Sequence, residues 1–124
     1  MLTVYRIRYY KDKNGNSTIK DYIQSLRKGK DKDSRIKLHK IQDYIKFLKI
    51  EGKQVGEPYV KHLDGEIWEL RPLRNRILFA AWDGKCFILL HHFLKQTQKT
   101  PTREIKQAMR NLADIREREL GNEE

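Results

Sequence analysis

One cysteine, Cys86, stands in the whole chain, so no internal disulfide can form. It lies in an apolar run and reads as a small buried hydrophobe, suited to a reducing, cytoplasmic setting. Long apolar runs are missing as well. The longest, Ile77 to Trp82, falls far short of the roughly 20 residues that a membrane-crossing helix needs. The opening stretch MLTVYRIRYYKDK alternates instead of forming an apolar block, so no signal peptide and no membrane partner are expected. No repeat, low-complexity segment or linker divides the 124 residues, which bounds the chain, 1–124, to a single domain. Acidic residues are few, 17 against 27 lysines and arginines, leaving a net charge of +10. That excess favours a polyanionic partner: nucleic acid, an anionic surface or an acidic protein. The plainer reading is a basic protein whose charge only keeps it in solution.

What is present reads as an α+β fold. Leu2 to Tyr10 mixes β-branched, aromatic and basic residues in rough alternation, which predicts a strand. Asn14-Gly15 marks a turn. Ser17 can cap a helix bearing Ile19, Tyr22, Ile23 and Leu26, with Gly29 as its stop. A longer helix is expected from Asp33 to Glu51, with Ile41, Tyr44, Ile45 and Leu48 as its apolar stripe and Gly52 ending it. The two should form a hairpin on one side of a sheet. Their lysines, Lys37, Lys40, Lys46 and Lys49, fit a solvated face or a nucleic-acid contact. Val55 to Asp64, with Pro58, reads as a loop that carries Lys61 and His62. Thr100-Pro101 opens a last helix, Thr100 capping it, with Ile105, Ala108, Met109 and Leu112 inward. Its charged end, from Arg116, is expected to fray.

Gly65 to Pro101 organises the rest: three consecutive strands, with turns at Arg74-Asn75 and Asp83-Gly84. If both turns have two residues, parity assigns the faces. Trp68, Leu70, Ile77, Phe79, Ala81, Cys86, Ile88, Leu90 and Leu94 then share an apolar face for the helices to cover. Glu69, Arg71, Arg76, Leu78, Ala80, Trp82, Phe87, Leu89, His91, Phe93 and Lys95 share the other, left open. Arg76 and His91 would lie nearly opposite; an odd turn would put His92 in place of His91. The third strand, apolar on both sides, should be interior, with the N-terminal strand beside it.

Arg71, Arg76, His91 and Lys95, converging from neighbouring strands, suit phosphate, which guanidinium groups grip as a fork. Trp82 and Phe93 fit either base stacking or ordinary packing. His62, His91 and His92 lack a third ligand at metal spacing, and no phosphate loop, nucleophile elbow or dinucleotide motif occurs. No metal or other cofactor is expected. Cutting RNA needs little apparatus: the 2′-hydroxyl attacks the adjacent phosphorus and the 5′-oxygen leaves. Cations stabilise the charge that gathers on phosphate, at about 3 kcal/mol per well-placed donor.

KHLDGEIWELR at Lys61 to Arg71, RNRILFAAWDGKCFILLHHFLKQTQKTP from Arg74 to Pro101, and EIKQAMRNL in the last helix resemble the RelE/ParE superfamily of bacterial type II toxins, nearest its HigB-like, phage-derived branch. The resemblance implies a small α+β fold: a curved, mostly antiparallel sheet, an N-terminal helical hairpin on one face and a C-terminal helix. It implies a metal-independent mRNA endoribonuclease that acts on transcripts at the ribosome and stops translation. It further implies a cognate helix-turn-helix, HigA-like antitoxin, joined in a hetero-oligomer such as a heterotetramer that binds operator DNA through the antitoxin. The family's basic positions fall on Arg71, Arg74, Arg76, Lys95 and Lys99. The catalytic set is then Arg71, Arg76, His91 and Lys95, and the RNA contacts are Arg74, Lys99, Lys61 and Trp82. Glu69 would orient Arg71, or act as base. Alanine at Arg71 or Arg76 should abolish toxicity while sparing the fold. Within the same superfamily, a ParE-like poison of DNA gyrase, acting by protein contact, is the alternative; a non-catalytic RNA-binding module is a third reading.

Overall fold

A computed structural model of the chain describes residues 4–121. Five strands and three helices make an α+β fold, in the order β1 (Arg6–Tyr9), α1 (Thr18–Lys28), α2 (Lys32–Glu51), β2 (Val60–Asp64), β3 (Ile67–Leu70), β4 (Asn75–Asp83), β5 (Cys86–Leu94) and α3 (Thr102–Gly121). The strands form one sheet ordered β1-β5-β4-β3-β2. Only the β1–β5 pair is parallel. The doubly apolar β5 is interior, with β1 beside it. Leu2, assigned to the first strand from the sequence, lies outside the described residues.

The signals that bound α1 and the glycine that ends α2 act where the sequence put them, whereas α2 starts at Lys32, one residue before the expected Asp33. The Ser17 side chain accepts from the Lys20 amide, and the Gly29 amide closes α1 on Ser25 O. Asp31 caps α2 through the Ser34 amide. Gly52 ends α2 with φ of 64°, a left-handed value that glycine adopts without strain. A Cβ there would also sit 2.9 Å from the Tyr5 ring.

Two cores result, one on each face of the sheet. Ile19, Ile23 and Leu26 of α1 and Ile41 and Leu48 of α2 pack with Leu70, Ile77, Phe79, Phe87 and Leu89. Ala108, Leu112 and Ile115 of α3 pack with Ile67, Leu78, Ala80, Ile88 and Leu90. The second face is therefore not left open, as parity had suggested: α3 covers it. Burying each such aliphatic or aromatic side chain contributes about 1.5–3 kcal/mol, enough to hold a helix against a sheet on either side. The inward stripe of α3 is Ala108, Leu112 and Ile115, whereas Met109 is exposed.

Irregular pairing explains the misassigned residues. The β4–β5 ladder shifts register twice, between Leu78 and Phe79 and between Ala81 and Asp83. Each shift flips the side-chain alternation of β5 relative to β4. In the middle of the hairpin the parity assignment fails: Phe87 and Leu89 share the face of Phe79, while Ile88 and Leu90 join Leu78. Past the shift between Leu78 and Phe79 it is restored, so His91 and Phe93 stand with Leu78 and Arg76. His91 opposes Leu78, and Phe93 opposes Arg76. The second turn is Gly84-Lys85. The first is a four-residue link, 71–74, closed by the Asn75 amide on Pro72 O. It displaces the pairing by two residues, which preserves parity: Leu70 faces Ile77 and Glu69 faces Leu78. The stretch read as a loop from Val55 holds β2, which zips onto β3 from Val60. The described part of the charged tail is anchored: Arg116 forks onto Glu66 at 2.8 and 2.6 Å, Arg118 binds Asp114, and Arg8 binds Glu119; the very end, expected to fray, lies outside the described residues.

Candidate functional site

At the end of the sheet where β3 leaves and β4 begins, three chain segments meet on one carboxylate. Glu69 is in β3, 2% exposed, and its side chain points to the α3 side with that of Leu78. Its Oε1 lies 3.4 Å from Arg71 Nε and 3.8 Å from Arg76 Nε. Its Oε2 accepts the hydroxyl of Thr100, 31 residues further on. A buried carboxylate is tolerable only when paired and hydrogen-bonded, and these partners supply both.

The two arginines differ. Arg76 is nearly buried, and its Nη1 donates to Leu73 O and Asn75 O, each at 2.8 Å. It thereby braces the 71–74 link, where Leu73 holds φ of 56°, a conformation that costs a non-glycine residue about 1–2 kcal/mol. Burial lowers the Arg76 pKa from its usual value; Glu69 opposes that shift and Arg71 adds to it. Arg71 follows the end of β3, with its amide on Tyr59 O at 3.0 Å. Its side chain is a quarter exposed, and its Nε is buried without a hydrogen bond despite the nearby carboxylate. Arg71 is the freer cation.

A strap, Lys95 to Pro101, runs from β5 to α3 and roofs a cavity of about 340 Å³. The cavity is lined by Glu69, Arg76, Phe93, the strap, Arg103 and Glu104. Four cations, Arg76, Lys95, Lys99 and Arg103, thus face two carboxylates there. Arg74 ties down the strap's start, since its carbonyl accepts from Lys95 N at 2.8 Å and its Nη2 donates to Lys95 O at 3.2 Å. Thr100 does not cap α3. Its hydroxyl is taken by Glu69, the helix begins at Thr102, and Pro101 O accepts the first helical bond.

The sequence-derived candidates divide accordingly. Arg71, Arg76, Lys95, Lys99 and Arg74 gather at this end; Arg76, Lys95 and Lys99 line the cavity, and Arg71 and Arg74 do not. His91 is near but does not line the cavity: its Nε2 donates to Glu104 Oε1 at 3.4 Å and its ring stacks on Phe93. Its neighbour His92 points the other way, stacks on Tyr22 with centroids 4.1 Å apart and donates to Asn75 Oδ1 at 2.9 Å. Burial drives the His92 pKa down to about 4, with His91 adding to the shift. Lys61 is exposed on β2, in register with Glu69. Trp82 is not part of the site. It sits six residues along β4 from Arg76, about 20 Å away, with the Arg8 guanidinium 4.8 Å over its ring. Its packing role wins because it lies on the core beneath α3. Thr100, Arg103 and Glu104 were missed as site residues. Their only signal was their place at the end of the basic strap, for Thr100, or just after it, for Arg103 and Glu104.

Among the described residues, no three of His, Cys, Asp and Glu converge as a metal would need, and no helix is long and apolar enough to cross a membrane. Fold and cavity together define a basic α+β protein with a pocket at one sheet end in which cations outnumber carboxylates. The chain belongs to the phage-derived Gp49-like protein family: the family model described as "Phage derived protein Gp49-like (DUF891)" matches residues 20–113, which include every residue of the pocket. This family is associated with toxins of toxin–antitoxin systems. Among curated proteins, none matches the chain.

Proposed function

We propose that this chain is the toxin of a type II toxin–antitoxin system, of RelE-like and HigB-like build, and that it cuts mRNA without a metal, at the ribosome. A HigA-like antitoxin would neutralise it in a hetero-oligomer and carry the operator-binding function. The observation that carries the reading is the convergence of Arg71 and Arg76 on buried Glu69, which with Arg76 lines the cavity under a strap bearing Lys95 and Lys99. Such a site offers fixed positive charge where a phosphodiester gains negative charge.

In the reaction, the 2′-hydroxyl loses its proton and its oxygen bonds to the adjacent phosphorus. The bond from phosphorus to the 5′-oxygen breaks, leaving a 2′,3′-cyclic phosphate and a 5′-hydroxyl. Arg71, whose side chain is a quarter exposed, stabilises the phosphorane with the accessible part of its guanidinium. Arg76 backs it and holds the link in shape. Lys95 and Lys99 grip the flanking phosphates. Glu104, which faces the cavity, takes the 2′-hydroxyl proton and returns it to the leaving 5′-oxygen, and His91, which donates to Glu104 from outside the cavity, positions it; such proton transfer is worth roughly 100- to 10,000-fold.

Brief expression in cells, followed by mapping of new transcript ends, tests this. New 5′-hydroxyl ends in mRNA, with blocked protein synthesis and undamaged DNA, are expected. DNA breaks with intact mRNA would support a gyrase poison instead, and tight RNA binding without cutting would support a binding module.

A further inference from the structure

We infer that Thr100 is a positioning residue: its hydroxyl, held by Glu69, fixes the 95–101 strap over the cavity and so places Lys95 and Lys99. The observations are independent of any assigned reaction. Residues 96–99 are exposed, so little packing holds them. The strap's start is tied by backbone to Arg74, and Thr97 Oγ1 donates only within the strap, to Lys99 O. Its far end is tethered through Thr100 to a carboxylate that is itself buried and fixed by two arginines. A threonine in front of Pro101 would ordinarily cap the helix. Here the hydroxyl reaches across to β3, so the same residue that could have served α3 locks the strap to the sheet. Hydrogen bonds to charged groups are among the stronger ones, so losing this bond should shift strap opening by about tenfold or more.

The test compares the full chain with Thr100→Val, which keeps the shape and loses the hydroxyl, and with Thr100→Ser, which keeps the hydroxyl. The readout is the rate of trypsin cleavage after Lys95 and Lys99, scaled to cleavage after Lys106 and Arg110 in α3 so that global unfolding cancels. The expected result is an acceleration of about tenfold at the strap for Thr100→Val, with Thr100→Ser close to wild type. Equal rates in all three, or equal acceleration in both variants, would overturn the inference. Its catalytic consequence rests on the nuclease reading: on a short single-stranded RNA, Thr100→Val should raise KM about tenfold with a smaller fall in kcat, and serine should restore it. A KM left at the wild-type value in an accelerated-opening variant would overturn the positioning role. A strap that loosens in a chain that cuts no RNA at all would overturn the nuclease reading and leave the tether standing.

Discussion

Replacing Glu69 by glutamine removes one negative charge from the centre of the site and almost no volume. The carboxylate is 2% exposed and is shared by Arg71 at 3.4 Å and Arg76 at 3.8 Å. Without it, Arg76 would sit nearly buried beside a second guanidinium. Removing one partner of a buried pair costs about 3–5 kcal/mol. The separations are long for charge-assisted bonds, Arg71 is partly exposed, and Arg76 keeps its two backbone acceptors, so the low end applies, about 3 kcal/mol. With a urea slope of about 2 kcal/mol/M for a chain of this size, the unfolding midpoint should fall by about 1.5 M. Glu69→Leu combined with Arg76→Met should not recover that loss, because it still orphans the Leu73 and Asn75 carbonyls and the Thr100 hydroxyl. Both values come from urea titration followed by far-UV circular dichroism. A Glu69→Gln midpoint equal to wild type would refute the reasoning, since it would mean that water already screens the three charges.

The remaining expectations concern neighbours of the site. Arg76→Ala orphans two backbone carbonyls and Glu69, so it should cost about 2–4 kcal/mol in a urea melt, whereas Arg71→Ala should leave the melt almost unchanged; the fold-sparing behaviour expected of both from the sequence then holds for Arg71 alone. Trp82→Ala should lower stability by about 3 kcal/mol through lost core packing but leave single-stranded RNA affinity, read by fluorescence anisotropy, at the wild-type value. The lowered His92 pKa means that the unfolded chain takes up the proton first as pH falls. Its contribution is complete above about pH 6.5 and is lost down to about pH 4, roughly 1.4 kcal/mol per unit and up to about 3 in all. His92→Gln should flatten that slope in urea melts at pH 7, 5 and 4.

Much of the fold was legible because its signals are local. Ser17, Gly29 and Gly52 act within a turn of where they stand, and the stripes of α1 and α2 follow helix spacing. The pairing of Arg71 with Arg76 was legible because a four-residue link and a two-residue turn have the same parity. The two register shifts of the β4–β5 hairpin were not legible. A bulge is decided by packing on both faces at once, and here those faces belong to helices far apart in the chain. Trp82 was misplaced for a related reason: parity assigns a face but not a position along the strand. Thr100 was read as a cap because its partner, Glu69, lies in β3, 31 residues away in the chain.

Transcript cleavage by Arg71→Ala beside wild type, at matched amounts of folded protein, bears most directly on the claim that this sheet end performs the chemistry. Arg71 is the site's least buried arginine near the carboxylate, so its loss should spare the fold while removing about 3 kcal/mol of phosphorane stabilisation. New 5′-hydroxyl ends should then accumulate at least 100-fold more slowly. Ends that appear at the wild-type rate would place the chemistry elsewhere on the protein.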